Sequence, residues 1–82
     1  MIVLDGKRMT DRDELHEELK RKLSLPDYYG KNLDALNDCL SERRERELIV
    51  ISDAADFLEG CEGYGAATLR VFGDNGLQVL LD

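Results

Sequence analysis

Apolar residues cluster in three short runs that are widely separated along the chain. The runs are Ile2-Val3-Leu4, Leu48-Ile49-Val50-Ile51 and Leu77-Gln78-Val79-Leu80-Leu81. Continuous apolar runs of this length are typical of strands that are covered on both faces, as in parallel sheets. The segments 5–47 and 52–76 are too long for hairpins and carry helical periodicity, so each strand is expected to join the next by a right-handed crossover. The pattern predicts an α/β fold in which a small three-stranded parallel sheet is covered by helices.

A first helix is predicted to begin near residue 10. Thr10-Asp11-Arg12-Asp13 has a capping-box pattern, and Lys20-Arg21-Lys22 place positive charge in the expected last turn. Three leucines form its predicted buried stripe: Leu15, Leu19 and Leu23. Pro26 disfavours helical geometry at the residue before it, and Asp27-Tyr28-Tyr29-Gly30 then predicts a turn.

A second helix is predicted after Asn32, which can cap its first turn. Its apolar face consists of Leu33, Leu36, Cys39 and Leu40. Its opposite face consists of Asp34, Asn37, Asp38 and Ser41. Two further helices are expected after the second strand, one that is capped by Ser52-Asp53 and stops at Gly60, and one from about Ala66 to Gly73.

Length and charge restrict the class of protein. The 82 residues are 43% hydrophobic and 35% charged, which is the composition of one folded domain over residues 1–82. The net charge of −7 has the wrong sign for a protein that neutralises nucleic-acid phosphates. We therefore expect a cationic partner and no direct nucleic-acid binding. The charge is uneven, −1 over residues 1–46 and −6 over residues 47–82.

Targeting signals are also missing from the sequence. No apolar stretch approaches the roughly 18 residues of a transmembrane helix, and Met1-Ile2-Val3-Leu4-Asp5 reaches an acid too early for a secretory signal. The expected location is therefore the cytoplasm, with no membrane partner. A reducing cytoplasm would keep Cys39 and Cys61 as free thiols.

Signatures of catalysis and metal binding are largely missing. His16 has no nucleophile or acid at a diagnostic spacing, so a solvated surface histidine is expected. Two distant cysteines and one histidine cannot complete an ordinary structural zinc site. The glycines of segment 60–65 fit no phosphate-binding loop. The sequence predicts no catalytic residue, no metal and no cofactor, and hence a protein that is not an enzyme.

The acids of the second helix are its most informative feature. Asp34 and Asp38 lie four residues apart on one face, where like charges destabilise a helix by about 0.2–0.5 kcal/mol. A solvated face, a divalent-ion site and a rigid anionic surface for a basic cleft all remain open, although Mg²⁺ or Ca²⁺ needs more oxygen ligands than one helix supplies. Tyr28 and Tyr29 favour the anionic surface, because aromatic residues beside charged ones are typical of protein interfaces. At least one of the two tyrosines is expected to be exposed.

The segment Leu23–Leu40 resembles the inhibitory segment of the barstar family of intracellular ribonuclease inhibitors. From Leu25 onwards it reads Leu-Pro-acid-Tyr-Tyr-Gly-x-Asn-Leu-Asp-Ala-Leu-x-Asp-Cys-Leu. The similarity extends back to Asp13-Glu14-Leu15-His16 and to an opening strand followed by Asp5-Gly6, and it is looser over the last third. The resemblance implies a barstar-like fold and an inhibitor whose helix at residues 32–41 enters the active site of a basic ribonuclease as a 1:1 complex.

The resemblance also implies roles for individual residues. Tyr28 matches a tyrosine that packs at the interface, Asp34 matches an acid near its edge, and Asp38 matches the acid that fills the phosphate pocket. Asp74 matches a further acidic contact by a weaker alignment. The predicted partner-binding residues are Tyr28, Tyr29, Asp34, Asn37, Asp38, Glu42 and Asp74.

Departures from the family pattern leave the partner open. Asn37 stands where the family has tryptophan, and Glu42-Arg43 replaces a Gly-Trp pair. The basic cluster of Arg43, Arg44 and Arg46 could repel a cationic target or pair with acids on a different one. Two functions are therefore considered: inhibition of a microbial ribonuclease or related toxin, and a barstar-fold interaction module whose partner is not a ribonuclease. An enzyme with Asp34 and Asp38 as metal-bound or acid/base groups is a distant third.

Overall fold

The computed structural model describes all 82 residues, which form three strands and four helices. The strands are β1 (Ile2–Asp5), β2 (Ile49–Ser52) and β3 (Val79–Leu81). The helices are α1 (Arg12–Leu23), α2 (Leu33–Glu42), α3 (Ala54–Cys61) and α4 (Gly63–Asp74). The strands pair in parallel in the order β1-β2-β3, which confirms the predicted three-stranded parallel sheet of an α/β fold. None of the four helices has the length and apolar composition needed to cross a membrane.

Helices cover one face of the sheet and leave the other face exposed. On the inner face Ile2, Leu4, Ile49 and Ile51 are buried. On the outer face Val3, Val50 and Leu80 form a row in register across the three strands, and Leu80 remains 56% exposed. The expectation of strands covered on both faces is therefore wrong. Two crossovers of one hand that step in the same direction across a sheet place their helices on the same side, which leaves the other side open.

The hydrophobic core lies between the inner face of the sheet and the helices. The three predicted leucines of α1 are buried, and the other helices contribute Leu36, Leu40, Phe57 and Phe72. Full burial of such a side chain contributes about 1.5–3 kcal/mol. Leu33 and Cys39, which were predicted on the apolar face of α2, are only partly buried at its margin. The core thus fixes which side of α2 faces solvent.

Helix α1 is capped at its start and anchors the end of the first strand from its middle. Asp11 caps α1 by accepting a hydrogen bond from the backbone N–H of Glu14 at 2.8 Å, one residue later than the predicted capping box. The buried carboxylate of Glu18 accepts a hydrogen bond from the backbone N–H of Asp5 at 2.9 Å, which anchors the end of β1. The next residue, Gly6, has no room for a side chain, since a Cβ there would lie 2.3 Å from the carbonyl oxygen of Asp53.

The second half of the chain differs from the predicted boundaries. Ser52 belongs to β2 and donates its hydroxyl hydrogen bond to the carbonyl of Leu4, so it does not cap α3. Asp53 precedes α3 in a left-handed conformation and makes no side-chain capping bond. Helix α4 begins at Gly63 and not near Ala66, because the single residue Glu62 turns the chain between α3 and α4. The last two helices are therefore almost continuous.

Candidate functional site

Helix α2 presents a row of unpaired acids to solvent. Its N-terminal cap is Asn32, as predicted, whose side chain accepts a hydrogen bond from the backbone N–H of Ala35 at 2.7 Å. Asp34, Asp38 and Glu42 follow at intervals of four residues, and all three are exposed. No side-chain hydrogen bond or ion pair within the chain engages their carboxylates. The predicted separation of α2 into an apolar side and a polar side is therefore confirmed.

The two tyrosines before α2 have opposite environments. Tyr28 is 86% exposed and Tyr29 only 6%, so the expectation of at least one exposed tyrosine is confirmed. Tyr29 was placed in the predicted partner-binding set, but its side chain packs in the core and its hydroxyl is bonded inside the protein. Tyr29 therefore has little surface available to a partner. Its internal contacts hold the loop that carries Tyr28.

A groove of about 710 Å³ separates this loop from α2. Tyr28 and Tyr29 line it from the loop, whereas Asp38 and Glu42 line it from the helix. Its apolar lining comes from Leu25, Pro26, Ala35 and Cys39. Burial raises the pKa of the Cys39 thiol, and the nearby carboxylates of Glu42 and Asp38 raise it further. The groove thus combines an aromatic ring, an apolar lining and negative charge.

Arg43 lies at this groove with its charge already engaged. Its guanidinium donates one hydrogen bond to the carbonyl of Leu23 at 2.9 Å and another to the carboxylate of Glu47 at 2.8 Å. The same contact lowers the pKa of the Glu47 carboxyl. Arg46 donates to the backbone carbonyl of Arg43, whereas Arg44 is exposed. Arg43 therefore fixes the end of α2 against α1 and leaves the acids of the groove uncompensated.

The far side of the exposed α2 surface meets the end of α4. The side-chain oxygen of Asn37 accepts a hydrogen bond from the side-chain amide of Asn75 at 2.9 Å. Asp74, the last residue of α4, is exposed and directly precedes Asn75. The fold thus brings the sequence-distant Asp74 to the same region as the acids of α2. No local sequence pattern indicated the contact of Asn75 with α2.

A buried histidine contacts the loop that carries Tyr28 and Tyr29 from the core side. His16 is 1% exposed, so the expectation of a solvated surface histidine is wrong. Its Nδ1 lies 2.6 Å from the Tyr29 hydroxyl and its Nε2 lies 2.5 Å from the Tyr64 hydroxyl. These two contacts explain how a polar ring is accommodated in the core, since buried polar atoms require hydrogen-bond partners. Its i, i+3, i+7 spacing with Leu19 and Leu23 is the sequence signal that would have indicated the buried side of α1.

The pKa of His16 is shifted by its burial and by two neighbouring charges. Burial lowers the pKa of His16, the carboxylate of Asp13 opposes this shift, and the ammonium of Lys31 reinforces it. Lys31 is paired with the Glu17 carboxylate, which ties the loop to α1.

Both cysteines are free thiols. No group of three or more His, Cys, Asp or Glu side chains is arranged to hold a metal ion.

The sheet, the helices and the acidic face of α2 together define a small α/β protein with the barstar-like fold. The chain belongs to the barstar family, because the family model described as Barstar (barnase inhibitor) matches residues 1–79. It is also similar to a protein of Bacillus subtilis (strain 168) that is named "Putative ribonuclease inhibitor YrdF", with 55% identity over 40 residues. Those residues are 49% of this chain and 44% of that protein, so the match covers less than half of the relative. The predicted family is confirmed, and membership supports a barnase-inhibitor-like, non-catalytic role.

Proposed function

We propose that this protein is an intracellular inhibitor of a microbial ribonuclease or related toxin. In this proposal α2 and Tyr28 cover the cationic active site of the enzyme in a 1:1 complex. The supporting observation is the row formed by Asp34, Asp38 and Glu42, which is exposed and has no cationic partner within the chain. An enzyme that binds RNA must carry positive charge where the phosphates lie, and such a surface is complementary to this row.

Five of the seven predicted binding residues have distinct places in this proposal. Asp38 shares the groove with Tyr28, so a cationic group that enters the groove meets a carboxylate and the face of an aromatic ring together. Asp34 and Asp74 lie outside the groove and contribute negative potential at its edges. Tyr29 acts from inside, because its bond to His16 fixes the position of the loop.

The acidic surface is held in its binding geometry by contacts within the chain. The Asn32 cap fixes the start of α2, the Lys31–Glu17 pair ties the preceding loop to α1, and Arg43 fixes the end of the helix. A surface that is ordered before binding loses less conformational entropy on association. These contacts support a rigid inhibitor that docks without refolding.

Inhibition of RNA cleavage is the direct test of the proposed function. The folded protein is titrated against a panel of basic microbial ribonucleases and toxin domains, and residual RNA cleavage is measured at each ratio. We expect complete inhibition of at least one enzyme at one equivalent, and the same inhibition in the presence of EDTA. A panel in which no enzyme loses activity at excess inhibitor would contradict the proposal, as would turnover by the protein itself.

A second function is favoured by the surface around Asn37. This residue is held by Asn75 and leaves a polar group where the family resemblance gives tryptophan. An interaction module of the same fold with a partner other than a ribonuclease would fit such a change. Co-purification from the source cells separates the two functions, because recovery of a basic ribonuclease supports inhibition and recovery of unrelated partners alone supports the module.

Association with the partner is expected to slow as salt concentration rises. Before contact the acids of α2 are exposed, and at this stage they attract an oppositely charged partner over a distance that is screened beyond about 8 Å at physiological salt. Stopped-flow mixing at low and high ionic strength measures this rate. An on-rate that does not change with salt would show that charge on α2 does not steer the encounter.

A further inference from the structure

The side chain of Asn37 is held in one orientation by its neighbour Asn75. The amide nitrogen of Asn75 donates one hydrogen bond to the carbonyl of Val71 at 2.8 Å and its other hydrogen bond to Asn37 at 2.9 Å. An amide nitrogen has two hydrogens, and both are therefore used. The atom of Asn37 that faces Asn75 must be its oxygen, because only an acceptor can receive the second hydrogen. The amide nitrogen of Asn37 is consequently turned away from Asn75.

Asn75 is itself rigidly placed. Its backbone N–H is bonded to carbonyls in the last turn of α4, including those of Val71 and Phe72, and its side chain is partly buried. Asn37 is exposed, and its amide nitrogen makes no hydrogen bond within the protein. A fixed and unused pair of N–H donors therefore lies at the surface of α2.

These donors differ in hydrogen-bonding character from the side chains around them. Asp34 and Asp38 flank Asn37 on the same exposed side of the helix, and carboxylates can only accept hydrogen bonds. A partner that is merely cationic would pair with the acids and leave the Asn37 amide facing its positive groups. An unmade hydrogen bond in a buried contact costs more than a made one contributes, so such a donor selects strongly for an acceptor.

We propose that Asn37 determines partner specificity and that Asn75 is its positioning residue, an inference that rests on the proposed inhibitor function. The amide N–H of Asn37 donates a hydrogen bond to an oxygen acceptor of the partner, a carbonyl or carboxylate located beside the cationic groups that meet Asp34 and Asp38. The favoured partner therefore has a cationic active site with an oxygen acceptor next to its cationic groups. A uniformly basic surface is disfavoured.

The Asn37→Asp substitution tests this inference because the two possible effects have opposite signs. Aspartate keeps the shape of the side chain and the oxygen that accepts from Asn75, but it replaces the donor by an acceptor and adds a negative charge. If charge alone governs binding, the variant binds a cationic ribonuclease more tightly. If the donor is used, the Kd rises by about 10- to 100-fold. The measurement is the Kd for a ribonuclease that the unsubstituted protein inhibits.

Two further variants separate the donor from charge and from folding. Ala55→Asp adds the same charge at an exposed position in the first turn of α3, where an acid is favoured, so its Kd is expected to stay equal or fall. Asn75→Ala leaves the Asn37 amide in place but unheld, and its Kd is expected to rise by about 2- to 10-fold as the side chain must be ordered on binding. Thermal melts of all three variants identify any loss of folded protein.

The outcomes distinguish this inference from the proposed function. Weaker binding by Asn37→Asp and Asn75→Ala, with Ala55→Asp unaffected, supports the assignment. Equal or tighter binding by folded Asn37→Asp overturns it, while inhibition by the unsubstituted protein would still stand. If the unsubstituted protein inhibits no ribonuclease, the proposed function fails and this inference fails with it.

Discussion

Replacement of Asp38 by alanine is expected to weaken binding to the ribonuclease of the proposed complex severely while the fold remains intact. Its side chain is exposed, lines the groove beside Tyr28 and makes no contact with the core. Truncating one partner of a desolvated charge pair costs about 2–5 kcal/mol in protein interfaces, the barnase–barstar complex being a known example, and the loss is expressed mainly as faster dissociation. Stability should stay unchanged or rise by about 0.2–0.5 kcal/mol, because repulsion between Asp38 and Asp34 is relieved.

Dissociation kinetics and thermal melts on the same Asp38→Ala protein measure both effects. Glu59→Ala is the matched control, since Glu59 is an exposed acid on α3 and its loss removes the same charge from a different helix. The control should alter the off-rate little. An unchanged off-rate for Asp38→Ala, or a large fall in its melting temperature, would show that Asp38 is solvated or structural and that the assignment of α2 is wrong.

Replacement of His16 by phenylalanine is expected to destabilise the fold by about 2–4 kcal/mol, because phenylalanine fills the space but removes both hydrogen-bonding nitrogens. The hydroxyl of Tyr29 is then left without its partner in the core, whereas that of the partly exposed Tyr64 can turn towards water. The loop that carries Tyr28 loses its internal anchor. Urea denaturation at neutral pH measures the change in the free energy of unfolding, and a change below about 0.5 kcal/mol would contradict a structural role for these bonds.

The same substitution should change how stability depends on pH. Burial holds the pKa of His16 below its ordinary value of 6.5, so the unfolded chain takes up a proton before the folded one as the pH falls. The free energy of unfolding should therefore decrease from pH 6.5 down to the lowered pKa, and His16 should have no effect above that window. His16→Phe should lack this decrease. Denaturation series at pH 7, 6 and 5 test it, and parallel pH profiles for the two proteins would contradict it.

The sequence predicted the elements of the fold better than their arrangement. Three apolar runs gave the three strands because short buried strands need continuous apolar residues. Their order in the sheet was not predictable, since any order of three parallel strands is compatible with the same runs. The exposure of the outer face of the sheet was not predictable either. Val3 and Leu80 are apolar yet exposed, and the sequence pattern alone cannot distinguish an apolar residue in the core from one on an open face.

The candidate site could also be predicted only in part from the sequence. The acids of α2 followed from helical periodicity, which places Leu36 and Leu40 on the side opposite Asp34 and Asp38. The contacts made by His16 did not follow, because its two tyrosine partners lie 13 and 48 residues away in the chain. Asn75 was missed for the same reason, since it meets Asn37 across 38 residues. Local patterns report the faces of a helix, whereas contacts between distant residues depend on how the elements pack.

The strand order β1-β2-β3 also affects the order in which the protein folds during its synthesis. Helix α2 leaves the ribosome well before α4 and β3, yet Asn75, which orients Asn37, and Phe72, which completes the core, both come from α4. Strand β1 can pair only after β2 has been synthesised, and the other edge of β2 stays unpaired until β3 has been synthesised. Pairings between such distant segments form late in folding. A nascent chain therefore carries the acids of α2 long before it can present them in a fixed geometry, and under the proposed function only chains synthesised as far as β3 would inhibit the enzyme.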